Sequence, residues 1–236
     1  MIKNSFIFLD GIDVKKENMI WSQGVRDWDS FIISTRIEGI SPFRKKYYDR
    51  ILLDAKRELL LRNSSFFLEK LPSVETWRLY DYFRDDCLFL DIEAGKNKRI
   101  DVMGLYDGEN NVTFLREHNF NEQLVKKAIS DFKIIATFNG SSFDLPIIKR
   151  KFKEFLPNVP HIDIRHLCSK IGLFGGLKDI EMKLNLKRTI LFQQRNNSLR
   201  NLVNYNQEDV TNLKPILEFC ISKLKQQNIF NNIQSF

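Results

Sequence analysis

Five residues of this chain have the types and spacings that could gather hard cations beside a hydroxyl able to orient water. Asp91 and Glu93 lie in Leu88-Phe89-Leu90-Asp91-Ile92-Glu93, Asp144 closes Asn139-Gly140-Ser141-Ser142-Phe143-Asp144, and Tyr205 and Asp209 share Tyr205-Asn206-Gln207-Glu208-Asp209. Carboxylate oxygens are the ligands that Mg²⁺ and Mn²⁺ prefer. In a strand, residues two apart share a face, so Asp91 and Glu93 project together while Ile92 enters the opposite layer. In a helix, residues four apart share a face, so Tyr205 and Asp209 point to one place. Each motif also has a plainer reading. Asp-x-Glu describes a polar strand end, Asp144 with Pro146 behind it describes a helix N-cap, and Tyr205 with Asp209 describes a surface pair. Their combination in this order singles them out.

The elements needed to bring them together can be read from periodicity. Up to about residue 84 the apolar residues fall at helical spacing, as in Tyr47 to Arg62, with charges on the other face. From residue 85 short apolar runs alternate with helical stretches. Strands are predicted at Cys87 to Ile92, Ile100 to Tyr106, Val112 to Leu115 and Lys133 to Phe138, and helices at Phe120 to Ser130, Asp144 to Phe155 and Asn201 to Phe219. Asp107-Gly108-Glu109-Asn110-Asn111 supplies turn residues for a hairpin. The order implies an α/β protein: an antiparallel meander, then parallel strands joined through helices in one mixed sheet. Three regions are expected: a helical N-terminal region (1–84), an α/β domain (85–225) and a polar tail (226–236).

Bulk properties narrow the class. An apolar fraction of 43% over 236 residues supplies a sizeable core. No window approaches the roughly 20 apolar residues of a membrane span, and Met1 to Asp10 is too short and too quickly acidic for a signal peptide. A cytoplasmic protein with no membrane partner is expected. Cys87, Cys168 and Cys220 are scattered and odd in number, which suggests neither a disulfide framework nor a thiolate zinc site. The formal charge of +7 and pI near 9.2 favour a polyanionic partner, although a lysine-rich composition alone accounts for them.

Taken with their contexts, these motifs resemble those of the ribonuclease-H-fold exonucleases with a DEDD carboxylate set in its tyrosine variant, and especially the YprB-like ribonuclease-H-like domain family. The resemblance extends to Trp77-Arg78-Leu79-Tyr80, His161-Ile162-Asp163, Gly176-Leu177-Lys178-Asp179-Ile180-Glu181 and Tyr205 to Val210, and to Phe8 to Ile12 with Trp21 and Trp28. One departure stands out. Where many relatives follow the glutamate with Thr-Thr-Gly, this chain has Ala94-Gly95-Lys96, which puts the fit of a terminal nucleotide in question but not metal binding.

The resemblance implies a ribonuclease-H-like mixed sheet flanked by helices. It implies that Asp91, Glu93, Asp144 and Asp209 hold two Mg²⁺ or Mn²⁺ ions and that Tyr205 orients the attacking water, since a phenol with an ordinary pKa of about 10 is a poor base. It also implies nucleic-acid contacts from Ile92, Ala94, Gly95, Asn139, Phe143 and Lys149. The activity implied is 3′-to-5′ exonucleolytic hydrolysis at single-stranded ends, DNA ahead of RNA, releasing nucleoside 5′-monophosphates. RNA 3′ trimming, endonucleolytic cleavage and noncatalytic nucleic-acid binding are the alternatives. Lys149-Arg150-Lys151 with Lys153 could attract phosphates, but such a charge run is more often simply a solvated helix face. Asp163 reads as a cap or as metal support, and Phe174-Gly175-Gly176 as a substrate-side loop or a helix lead-in.

Overall fold

A computed structural model describes residues 1–95, 97–152, 156–188 and 199–233. Lys96, Lys153 and Phe155 lie outside the described residues. The chain forms two compact units, Met1–Arg84 with Leu224–Phe236, and Asp85–Lys223.

The first unit is helical, with α1 (Val14–Ser22), α2 (Trp28–Ile33), α3 (Pro42–Leu60) and the short α4 (Tyr80–Phe83). Its helices start where the sequence offers caps. Asp13 accepts from the Lys16 amide, Asp27 and Ser30 form a capping box, and Ser41 precedes Pro42 at the first position of α3. Glu17 is fully buried, which is tolerable only because its charge is answered. It accepts from Ser5 Oγ and from the amides of Phe6 and Ile7, and pairs with Arg78 at 3.0 Å. Arg78 also pairs with Glu75 at 2.7 Å. Trp21 and Trp28 are buried and donate their indole N–H groups to the carbonyls of Asn4 and Ser5, so both are packing residues.

The second unit contains β1 (Cys87–Ala94), β2 (Ile100–Tyr106), β3 (Asn111–Leu115), α5 (Glu122–Ile129), β4 (Ile134–Thr137), α6 (Asp144–Lys151), β5 (His161–Asp163), α7 (Ile164–Lys170), α8 (Leu177–Lys183) and α9 (Leu199–Ile233), the last running on past the unit. The sheet order is β3-β2-β1-β4-β5. β1, β2 and β3 pair antiparallel, while β4 runs parallel to both β1 and β5. This is the predicted mixed sheet flanked by helices. The hairpin turn forms as its residues dictate: Asp107 Oδ1 accepts from the amides of Glu109 and Asn110, and Gly108 takes φ +105°. Helix α5 begins later than the expected Phe120 because Asn121 caps it, accepting from Gln123 and Leu124.

Alternation along β1 sorts its two faces. Leu88, Leu90 and Ile92 enter a core shared with Val125 and Ile129 of α5 and with Ile147 and Ile148 of α6. Asp91 and Glu93 face the other way, towards α9. The approach of α9 depends on one small residue. Gly104 on β2 stands opposite Asp91, and a Cβ there would come within 2.2 Å of Asn206 Oδ1. Asn206 itself is fully buried and donates from Nδ2 to Asp91 Oδ2 at 2.8 Å. The residues after 225, expected as a polar tail, continue α9 to Ile233. Cys168 and Cys220, 52 positions apart, meet with their Sγ atoms 3.6 Å apart as free buried thiols.

Gly104→Ala is therefore expected to destabilise the protein by about 1–3 kcal/mol, the range for overpacking a tight core. A lower urea midpoint at unchanged m-value checks it; an unchanged midpoint would mean that α9 does not rest on this glycine.

Candidate active site

Three secondary elements deliver the carboxylates. Asp91 and Glu93 come from the C-terminal half of β1, Asp144 from the first turn of α6, and Asp209 from α9. A cleft of ≈ 450 Å³ is lined by Asp91, Glu93, Phe138, Lys178, Tyr205 and Asp209, among others. Asp144 is buried and is not among the residues that line the cleft. It does not cap α6, since Phe143 holds the N-cap position. Its Oδ1 instead accepts from the Ile92 amide at 3.0 Å, tying the helix start to β1.

The turn that delivers Asp144 is pinned by Asp163. Asp163 Oδ1 accepts from the amides of Asn139 and Arg165, and Oδ2 accepts from the amide and hydroxyl of Ser141. Asn139 takes the left-handed φ of +63°, which asparagine tolerates best after glycine. Gly140 is needed because a Cβ would meet Thr137 Oγ1 at 2.1 Å; that hydroxyl accepts from the Gly140 amide and faces His161 Nε2 at 2.9 Å. Of the two readings of Asp163, the cap and turn anchor is the one with contacts to support it. The burial of His161 lowers its pKa to about 4, so the ring is neutral here.

The remaining predicted site residues are placed as follows. The Ile92 side chain packs in the core, where strand alternation turns it away from the cleft, and its N–H donates to Asp144, so a nucleic-acid contact from this position would come from neither group. Ala94 is partly buried against the same core, and Gly95 follows a register shift in β1 where a Cβ would press on Asp101 at 2.7 Å. Asn139 accepts from Arg165 at 2.9 Å. Phe143 is 43% exposed, and Lys149 is exposed on α6. Asp101, at the start of β2, pairs with Arg116 just past the end of β3. At Phe174-Gly175-Gly176 the lead-in is structural, with Gly175 at φ +130° and the Gly176 amide donating to Asp179 at 2.7 Å, and Gly176 also lines the cleft.

The site is charged against itself. Desolvation first, then repulsion from Asp144, Asp209 and Glu93, holds the Asp91 carboxyl well above its ordinary range, opposed by the Asn206 hydrogen bond. Desolvation raises Asp144 to about 7 against its two amide hydrogen bonds, with Asp163 and Glu93 adding to the rise. Desolvation raises Asp209 to about 6, against the pull of Arg188. Each carboxylate is steadied by a protein donor: Asp91 by Asn206, Asp144 by the Ile92 amide, and Asp209 by Arg188. Among the described residues, no three His, Cys, Asp or Glu side chains stand together closely enough to hold one ion as they are. The donor set, all oxygen and mutually repelling, nonetheless fits hard divalent cations.

Arg188 and its anchor Glu181 are the part of the site that sequence reading missed. Glu181 was noticed only as a landmark in a helix, and Arg188 carried no motif of its own. Glu181 lies beside Ile180 in α8 and Arg188 follows the end of that helix, and nothing local in this order pairs either residue with Asp209.

A family profile described as the RNase_H superfamily matches residues 88–221, more than half of the chain. No curated protein matches. Among solved structures, the crystal structure of Escherichia coli RNase D, described as an exoribonuclease involved in structured RNA processing, aligns at 20% identity with a TM-score of 0.47. The alignment covers 65% of this chain and 44% of that one. No described helix is long and apolar enough to cross a membrane.

The raised carboxyls make a signed prediction for protein stripped of divalent ions. Asp144 and Asp209 hold protons more tightly folded than unfolded, where carboxylates titrate near about 4. Their contribution to stability is complete below about pH 4 and is lost as pH rises through about 6 to about 7. The chelated protein should melt at falling temperature across that window, and Asp144→Asn should flatten the fall. An equal slope in both proteins would contradict the assignment.

Proposed function

The chain belongs to the RNase_H superfamily, and on that premise we propose that it is a metal-dependent 3′-to-5′ exonuclease of the DEDD type with a tyrosine, acting on single-stranded nucleic acid, DNA ahead of RNA. The observation that carries this reading is the convergence of Asp91, Asp144 and Asp209, from a strand and two helices, near enough to repel one another beside the cleft that also holds Glu93 and Tyr205. A protein keeps like charges this close at a cost to its own stability, which favours a role in binding cations over a structural one.

Asp91, Glu93, Asp144 and Asp209 are the residues that would hold the ions. Two divalent cations, when bound, would supply the positive charge that phosphodiester hydrolysis needs on its attacking and leaving oxygens. Tyr205 is fixed relative to Asp209 by one helical turn of α9, so its hydroxyl can orient a water against the scissile phosphate. Asn206 and the Ile92 amide hold Asp91 and Asp144 in register with each other. Phe143, half exposed beside the Asp144 turn, offers a surface for a terminal base, and Lys149 offers charge to the phosphate backbone. Ala94 and Gly95, at the end of β1, are the remaining candidate contacts.

Digestion of 5′-labelled single-stranded DNA and RNA with Mg²⁺ or Mn²⁺ tests the reading. A ladder shortening from the 3′ end, abolished by EDTA, is expected on DNA first. Asp91→Ala should lower the rate by at least about 10³-fold, whereas Tyr205→Phe, which removes only a positioning hydroxyl, should lose about 10²-fold. Uniform products from circular single strands would point to endonucleolytic cleavage, and binding without turnover to a noncatalytic module.

A further inference from the structure

Arg188 reaches two members of the site and a buried anchor outside it. Its Nε and Nη2 lie 2.5 Å and 2.8 Å from the two carboxylate oxygens of Glu181, a bidentate fork, and Nη2 also donates to Asp209 Oδ1. The guanidinium carbon stands 4.9 Å from the centre of the Tyr205 ring. Glu181 is 2% exposed and takes a further hydrogen bond from Asn212 Nδ2 at 2.8 Å. The anchor of the arginine is thus a carboxylate outside the metal-ligand set, and its reach extends to two members of the site.

Two features suggest that the contact with Asp209 is exchangeable. Among the described residues, the buried Arg188 Nη1 has no hydrogen-bond partner, so the guanidinium in this position leaves a donor unmet there. A divalent ion at Asp209 would also stand beside a fixed positive charge competing for the same oxygen. Glu181 can keep the arginine in both situations, because its two bonds do not depend on Asp209.

We propose that Arg188 is a positioning residue that serves as a resident counter-cation for Asp209. Without a divalent ion it holds the Asp209 carboxylate and covers the Tyr205 ring; an ion arriving at Asp209 displaces it, leaving it on Glu181. The competition sets the ion concentration at which the site assembles. This rests on the metal-dependent reading of the site.

The test combines two measurements on the whole chain. The Nε–H resonance of Arg188 is followed during Mg²⁺ titration of the wild type, and Mn²⁺ affinity is measured by titration calorimetry for the wild type and for Glu181→Gln combined with Arg188→Gln. The double substitution removes Glu181 and Arg188 together, so neither is left facing an absent partner, while Asp209 loses its resident cation and keeps only the more distant pull of Lys178. The resonance is expected to move in step with Mg²⁺ saturation, and the double variant to bind Mn²⁺ about tenfold more tightly, the scale of one charged hydrogen bond. Ion binding with an unmoved resonance, or equal or weaker affinity in the double variant, would overturn the competition while leaving the metal site intact. Absence of binding in both proteins would overturn the metal-dependent reading itself and the competition with it. If the double variant fails to fold, the wild-type resonance decides alone.

Discussion

The repulsion among Asp91, Glu93, Asp144 and Asp209 is the constraint on which the rest of the site depends. Bringing like charges together and out of water is costly, and the cost grows with every donor that is missing. The fold meets it with a separate partner for each of three carboxylates: the amide of Asn206 for Asp91, a backbone amide of β1 for Asp144, and the guanidinium of Arg188 for Asp209. These partners lower the charge problem without removing it, and all three carboxyls remain raised. The residual excess of negative charge is what supports the proposal that the cleft takes up cations.

Several otherwise unrelated features follow from the need to hold those charges in place. Gly104 has no side chain because Asn206 must come down onto Asp91. Gly140 and the left-handed Asn139 form a turn tight enough for Asp163 to gather its amides, and that turn fixes where α6, and with it Asp144, begins. Glu181 is buried in order to hold Arg188, and Arg188 in turn holds Asp209. Side chains that never face the cleft thus set the positions of those that do. The hydrophobic core on the opposite face of β1, with Leu88, Leu90 and Ile92 against α5 and α6, keeps the strand in register while its polar face carries the charges.

Much of this architecture was legible in the sequence. Alternation in Leu-Phe-Leu-Asp-Ile-Glu separates the core face of β1 from its acidic face, and the turn residues at Asp107 to Asn111 define the hairpin, so the meander follows from local signals alone. The four-residue spacing of Tyr205 and Asp209 puts them on one face of α9. What could not be read is what depends on long-range approach. Nothing local marks Gly104 as the landing place of Asn206, or pairs Cys168 with Cys220. The choice for Asp144 between capping its own helix and bonding to β1 is likewise decided by a strand 52 residues earlier. Arg188 was invisible for the same reason, since its partners come from α8 and α9 together. Ile92 neighbours the site in sequence while its side chain faces the core, so spacing alone does not say which part of that residue a ligand would meet.

The central claim is that the four carboxylates form a cation site, and diffraction at the manganese absorption edge from crystals soaked in Mn²⁺ tests it most directly. Anomalous peaks are expected within ligand distance of Asp91, Glu93, Asp144 and Asp209, with Arg188 moved off Asp209. Saturating Mn²⁺ with no peak among these residues, or with peaks only elsewhere on the surface, would contradict it.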